Sequence, residues 1–213
     1  MLDEVVMEVG VQNVIQIVTN NATAHVAVGK LLEARHPTLV WNPCVAHYLY
    51  LLLEDMGKLS WVKNVVEDAR NVTEYIYNHI WVLNLMREYI DGKNLMHSGV
   101  TDIATNFLTL HSILVALPNL KRMFMSERWL KSPYCRQVEA KKMVKTIFDD
   151  RFAKVTEEVI NMLEPLVRVL RLVDGYQSPM GYVYEAMNKA KEAIQHFYGS
   201  NKIKYEPIWH IID

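Results

Sequence analysis

Up to Gly57 the apolar positions of this chain come in short runs cut by Asn, Gly and Pro, whereas from Ser60 onward they recur at helical spacing. Asp3 to Val9 reads as the end of a helix that stops at Gly10, a residue suited to a C-terminal cap. Val14 to Val18 is apolar, largely β-branched and followed by Asn20-Asn21, the pattern of a buried strand. Thr23 to Arg35 predicts a helix closed by Pro37, and Leu39 to Trp41 a second short strand. Asn42 as N-cap and Pro43 as first helical residue then open an apolar helix through Asp55, ended by Gly57.

Beyond Ser60, the residues Trp61, Val65, Val72, Ile76, Val82, Leu85 and Tyr89 recur at spacings of three, four, six or seven, an almost entirely helical pattern. Asp91-Gly92 breaks the run, and Asp91 to Gly99 reads as a loop. Helices are expected over Asp102 to Leu117, Asn119 to Lys131 and Tyr134 to Asp149. Arg151 to Val173 is apolar on more than one side and contains Pro165, which predicts a buried, kinked helix. Ser178-Pro179 caps a last helix from Met180 to Tyr198. Few strands among many helical segments give a mainly α chain with a small β component.

Composition narrows the function classes. With 213 residues, 51% of them apolar, the chain can bury one sizeable core or two small ones. A net charge of -1 and a pI near 6.7 exclude a protein that coats nucleic acid or an anionic membrane with its whole surface. No basic start leads into an apolar run and no apolar stretch is long enough to span a bilayer, so a soluble, intracellular chain with no membrane partner is expected. Cys44 and Cys135 are far apart and without a neighbouring cysteine, which predicts reduced thiols. The glycine patterns of serine hydrolases, P-loops and dinucleotide-binding folds are absent, and the histidines share no ligand spacing.

The chemistry concentrates between Ile15 and Asp55. A buried strand ending in a small acidic residue is how nuclease-like sheets place a metal-binding carboxylate, but Asn20 is an amide. Two-metal phosphoryl transfer needs anionic oxygens that hold and neutralise hard cations, and an amide brings no charge. Asn20 also suits a strand-to-helix turn. Cys44-Val45-Ala46-His47 sets two ligand types three residues apart on one helix face, half of a zinc site with no second pair to complete it. In the bland alternative Cys44 is a small buried residue and His47 a hydrogen-bonded helix residue.

The segment IVTNNATAHVAVGKLLEARHPTLVWNPCVAHYLYLLLEDMGKLSWVK resembles the central part of plant transposase-like proteins of the hAT superfamily, where the strand ends Thr-Asp-Asn-Ala. The likeness continues through NHIWVLNLMR, TDIATNFLTLHSIL, EPLVRVLRLVDG and MGYVYEAMNKAKEAI, and so covers the chain from about Val14 to its end. It implies a partial RNase H-like α/β core over residues 1–60 followed by an all-helical insertion over 61–213. The chain is then expected to lack the preceding strands of that core and to stop before the C-terminal dimerisation region. Asn20 falls on the family's second catalytic aspartate, so no catalytic residue is assigned, and the divalent metal of active members, such as Mg, is not expected as a cofactor. The resemblance also gives Cys44 and His47 a place near the active site and its DNA, and implies a nuclear location. At Thr101-Asp102-Ile103 the related motif is Thr-Arg followed by an aromatic; Asp102 reverses the charge and Ile103 removes the ring, which weakens DNA handling and leaves Asp102 as a helix N-terminal residue.

Within the expected insertion, Lys121, Arg122, Arg128, Lys131, Arg136, Lys141, Lys142 and Lys145 face only Glu127 and Glu139 in sequence. On one surface they form a phosphate-binding patch, with Trp129 and Tyr134 placed to stack on bases; otherwise they are solvated helix faces and the aromatics are core. Three functions are therefore carried forward: an inactive transposase remnant that binds DNA or protein, a helical interaction domain with no nucleic-acid role, and an active metal-dependent strand transferase. Unpaired edges on both short strands also predict self-association unless helices cover them.

Overall fold

The structure, a computed structural model, describes residues 1–96, 103–175, 180–199 and 201–212. Helix α1 (Leu2–Val9) ends at Gly10, whose φ of 89° is open to glycine at little cost, and a single 3-10 turn leads into strand β1 (Gln16–Thr19). Helix α2 (Thr23–Arg35) crosses to strand β2 (Val40–Pro43), which pairs parallel with β1 in the register Gln16 with Val40 through Thr19 with Pro43. The result is one β-α-β unit whose sheet, among the described residues, has two strands.

Helix α2 lies close against this sheet because position 29 has no side chain. A Cβ on Gly29 would overlap the Trp41 indole. Trp41 is fixed in turn by its indole N–H, which donates to Thr19 Oγ1 at 2.9 Å. A small apolar cluster of Val6, Leu32 and Leu39, flanked by Ile17 and Val14, fills the space between α1, α2 and the sheet. Val18 and Val40 remain 51% and 48% exposed, so the sheet face away from α2 is bare.

Helix α3 (Val45–Gly57) starts where the sheet ends. The sequence places Asn42 and Pro43 in this helix, but both belong to β2. The ladder extends one rung further than the apolar run suggests, because the Cys44 N–H donates to the Thr19 carbonyl at 2.7 Å, and Cys44 becomes the N-cap. Leu49, Leu52, Leu53 and Met56 turn to a second and much larger core. That core is built by α4 (Ser60–Asn78), α5 (Ile80–Tyr89), α6 (Ile103–Phe124), α8 (Val138–Phe148) and α9 (Asp150–Val173), with the short α7 (Glu127–Lys131) closing one end. The long α9 is central, packing on α3, α4, α6, α8 and α10 (Met180–Phe197). Ten of its residues are buried, from Phe152 to Leu170, on both sides of Pro165.

Other boundaries depart from the sequence pattern as well: the helix expected over Asn119 to Lys131 is divided between α6 and α7, and the one expected from Tyr134 begins at Val138. Helix α6 runs through Pro118 as one element, since Leu117, Leu120, Met123 and Phe124 are all buried and packing on both sides outweighs the lost backbone hydrogen bond. Past Tyr198, where no element was expected, α11 (Lys202–Ile212) buries Tyr205, Ile208 and Ile212, and the Tyr48 hydroxyl ties its last turn to α3 by donating to the Ile212 carbonyl at 2.7 Å.

Candidate functional site

Asn20 follows the last residue of β1, in the strand-end position expected of a catalytic carboxylate. Its side-chain oxygen is already engaged: Oδ1 accepts the Ala22 N–H at 3.2 Å and lies 2.5 Å from His25 Nδ1 on the first turn of α2. With oxygen facing nitrogen, the imidazole donates from Nδ1. The amide thus closes the strand-to-helix turn and leaves no charge there to hold a cation. In the adjoining groove the carboxylate is Asp3, which is held by the Arg35 guanidinium and by His36 Nε2 at 2.9 Å. The hydrogen bond from His36, reinforced by Arg35, lowers the Asp3 pKa below the usual carboxylate value. Among the described residues no three His, Cys, Asp or Glu side chains gather as a metal site, and the donor set around Asn20 does not fit the divalent metal that the strand-end position would imply.

Cys44 precedes α3 as its N-cap, in extended backbone conformation, and His47 stands in the first turn of that helix. The Cys44 side chain makes no capping bond, and both residues are half-buried. Thr101 and Asp102 lie outside the described residues.

The basic segment divides into two parts. Lys121 reaches Asp150 at 3.7 Å and lies over the Phe148 ring, and Arg122 donates to Asn119 at 3.5 Å. Arg128 grips both carboxylate oxygens of Glu88, which lowers the Glu88 pKa and raises that of the guanidinium, and Lys131 pairs with Glu127 one turn earlier. Their charge is largely matched locally. Trp129 is buried against Phe124 with rings edge to face at 4.8 Å, so it is core and cannot stack on a base. Tyr134 stacks on Trp81 at 5.3 Å.

Arg136, Lys141, Lys142 and Lys145 differ, being exposed and without an ion pair to any described residue. Ala140, Met143 and Ile147 point inward from α8, which at 100° per residue places Lys141, Lys142 and Lys145 together on the opposite, outward side. Lys142 also borders a polar cleft of about 730 Å³ shared with Asp68, Glu74, Tyr75 and Glu139. Burial, with Glu67 and Asp149 nearby, raises the Asp68 pKa, and burial pushes the Tyr75 phenol, which donates to Gln137 Oε1 at 2.8 Å, up to about 12. The roles of His25 and Glu88 were not foreseen from sequence; the five-residue separation of Asn20 and His25 across a turn was the available sign for one, while Glu88 lies 40 positions from Arg128 with no local signal.

Residues 1–72 match the model of a domain of unknown function (DUF659), a family found in hAT-type transposase-like proteins. The match spans the β-α-β unit, α3 and part of α4. No curated protein and no solved structure matches the chain. No described helix is long and apolar enough to cross a membrane.

Proposed function

We propose that this chain is a transposase-derived binding module that lacks strand-transfer chemistry and contacts nucleic-acid phosphates through the outward side of α8. The observation that carries the reading is the contrast within the basic segment: Lys121, Arg128 and Lys131 are matched by Asp150, Glu88 and Glu127, and Arg122 meets only the neutral Asn119 amide, whereas Arg136, Lys141, Lys142 and Lys145 have no such partner. Exposed cations at one-turn spacing are what a phosphate backbone binds, and in a near-neutral chain they confine contact to one patch. Loss of catalysis is supported by Asn20, whose oxygen serves the turn at the place where metal-dependent transfer requires an anion. The match to a family found in transposase-like proteins agrees with this origin, and nuclear residence belongs to the same proposal.

The test is binding of the purified chain to a labelled DNA duplex across a salt series, beside a Lys141→Glu, Lys145→Glu variant. The expected result is affinity falling with salt at a slope of about 0.9 per phosphate contacted, reduced by roughly one to two in the variant. Folded wild-type chain that binds no duplex at low salt would exclude the reading and leave the helical interaction domain in its place.

A further inference from the structure

The polar cleft of about 730 Å³ opens between α4 and α8, and all of its lining residues lie between positions 68 and 146, within the helical body. Its walls carry both kinds of hydrogen-bonding group. Acceptors come from the carboxylates of Asp68, Glu74 and Glu139, none of which has an ion pair among the described residues. His79 adds a ring nitrogen: its Nδ1–H donates to the Tyr75 carbonyl at 2.8 Å, so Nε2 is left as an acceptor. Donors come from Lys142 and from Gln137, whose Oε1 is held by the Tyr75 phenol at 2.8 Å while its amide N–H groups stay free. Lys141 and Lys145 stand just outside, on the outward side of α8 and within one turn of Lys142. The sign of the surface therefore changes at Lys142. A phosphate is drawn to the lysine side and repelled by the carboxylates on the other, and a cation meets the reverse. A nucleotide suits both, with its phosphate outside and a neutral base that carries donors inside.

We propose that this cleft takes an unpaired guanine base of a single strand whose phosphates lie on the α8 lysines. The inference rests on the phosphate-binding reading and names the form of nucleic acid that the site selects. Guanine carries two adjacent donors on its Watson–Crick edge, N1–H and the N2 amino group, which match the two oxygens of one carboxylate. Its O6 and N7 accept, and lysine is among their commonest partners. Glu139 and Lys142, three residues apart on α8, are neighbours at about 5–6 Å between Cβ atoms, a spacing over which both reach one base. Glu139 then takes the donor edge, with Glu74 facing it from α4, and Lys142 takes O6. Thymine brings a single donor and no amino group. In a duplex the N1–H of guanine is consumed by cytosine, so the cleft favours a strand whose base is splayed out.

Fluorescence anisotropy of the full chain with short labelled strands decides it, comparing oligo-dT with oligo-dT that carries one central dG at equal length and salt. The wild-type chain is expected to bind the dG strand about tenfold more tightly. Glu139→Gln, alone and combined with Glu74→Gln, is expected to bring that ratio near one and to leave salt-dependent binding of oligo-dT in place. A purely electrostatic role of the carboxylates shifts both strands together and leaves the ratio unchanged. Both positions are exposed, so the variants keep the fold. Salt-dependent binding with no guanine preference overturns the proposal while the phosphate reading stands, and so does a preference that survives the double variant. No binding to strand or duplex removes both. The same series on oligo-U with one central G tells whether the strand is ribose or deoxyribose, and a guanine preference in either supports the proposal.

Discussion

At the scale of single residues, the structure turns on side chains that serve the turn or the local ion pair. Asn20 is the clearest case, since its Oδ1 meets the Ala22 N–H and His25 and closes the entry to α2. Asp3 does comparable work at the other end of that helix, joining α1 to Arg35 and His36. Its pKa is lowered in the fold, so its contribution is present above the unfolded carboxylate value near 3.8 and is lost as pH falls through the lower, folded value. The protection factors of the α1 amides, taken relative to intrinsic exchange at each pH, should therefore fall on acidification below about pH 4. In Asp3→Asn the same protection factors should already be low at neutral pH and change far less with acid. The residue identities made Asn20 legible as a turn former in the sequence. The contact between Asp3 and His36 spans 33 positions and had no sequence signal.

At the scale of elements, the strongest patterns survived and the boundaries moved for identifiable reasons. Helix α2 was readable to the residue because Thr23 begins and Pro37 closes it. The start of α3 was misplaced, since Asn42-Pro43 carries helix-start chemistry and only the pairing with Thr19 shows that the strand continues. Pro118 looked like a break because sequence cannot show that the buried neighbours Leu117 and Leu120 hold both halves in line. The α2–sheet contact offers a direct test at this scale. Gly29→Ala should push the Trp41 indole off the helix, break its bond to Thr19 and cost about 1–3 kcal/mol in the β-α-β unit, read as a shift in tryptophan emission and an earlier melt.

For the whole molecule, the burial pattern gives two clusters of very different size. One comprises Val6, Leu32 and Leu39, and the other runs from Leu49 to Ile212. The helical periodicity after Ser60 announced the second, but which cations would find partners depended on long-range packing, as with Glu88 and Arg128. Unequal clusters predict unequal stabilities. Leu53→Ala, at a position with no exposure, should destabilise the helical body by about 2–5 kcal/mol while the exchange rates of β1 and β2 amides stay near wild type. Matched losses in both clusters would instead show one cooperative unit.

The Cys44 N–H closes the last rung of the ladder, and Val45 begins a helix with no residue between to absorb rotation. Strand and helix therefore meet as a rigid elbow. A twist of the small sheet would therefore re-aim the first turn of α3, while Leu49 and Leu53, packed in the helical body, hold the rest of that helix in place.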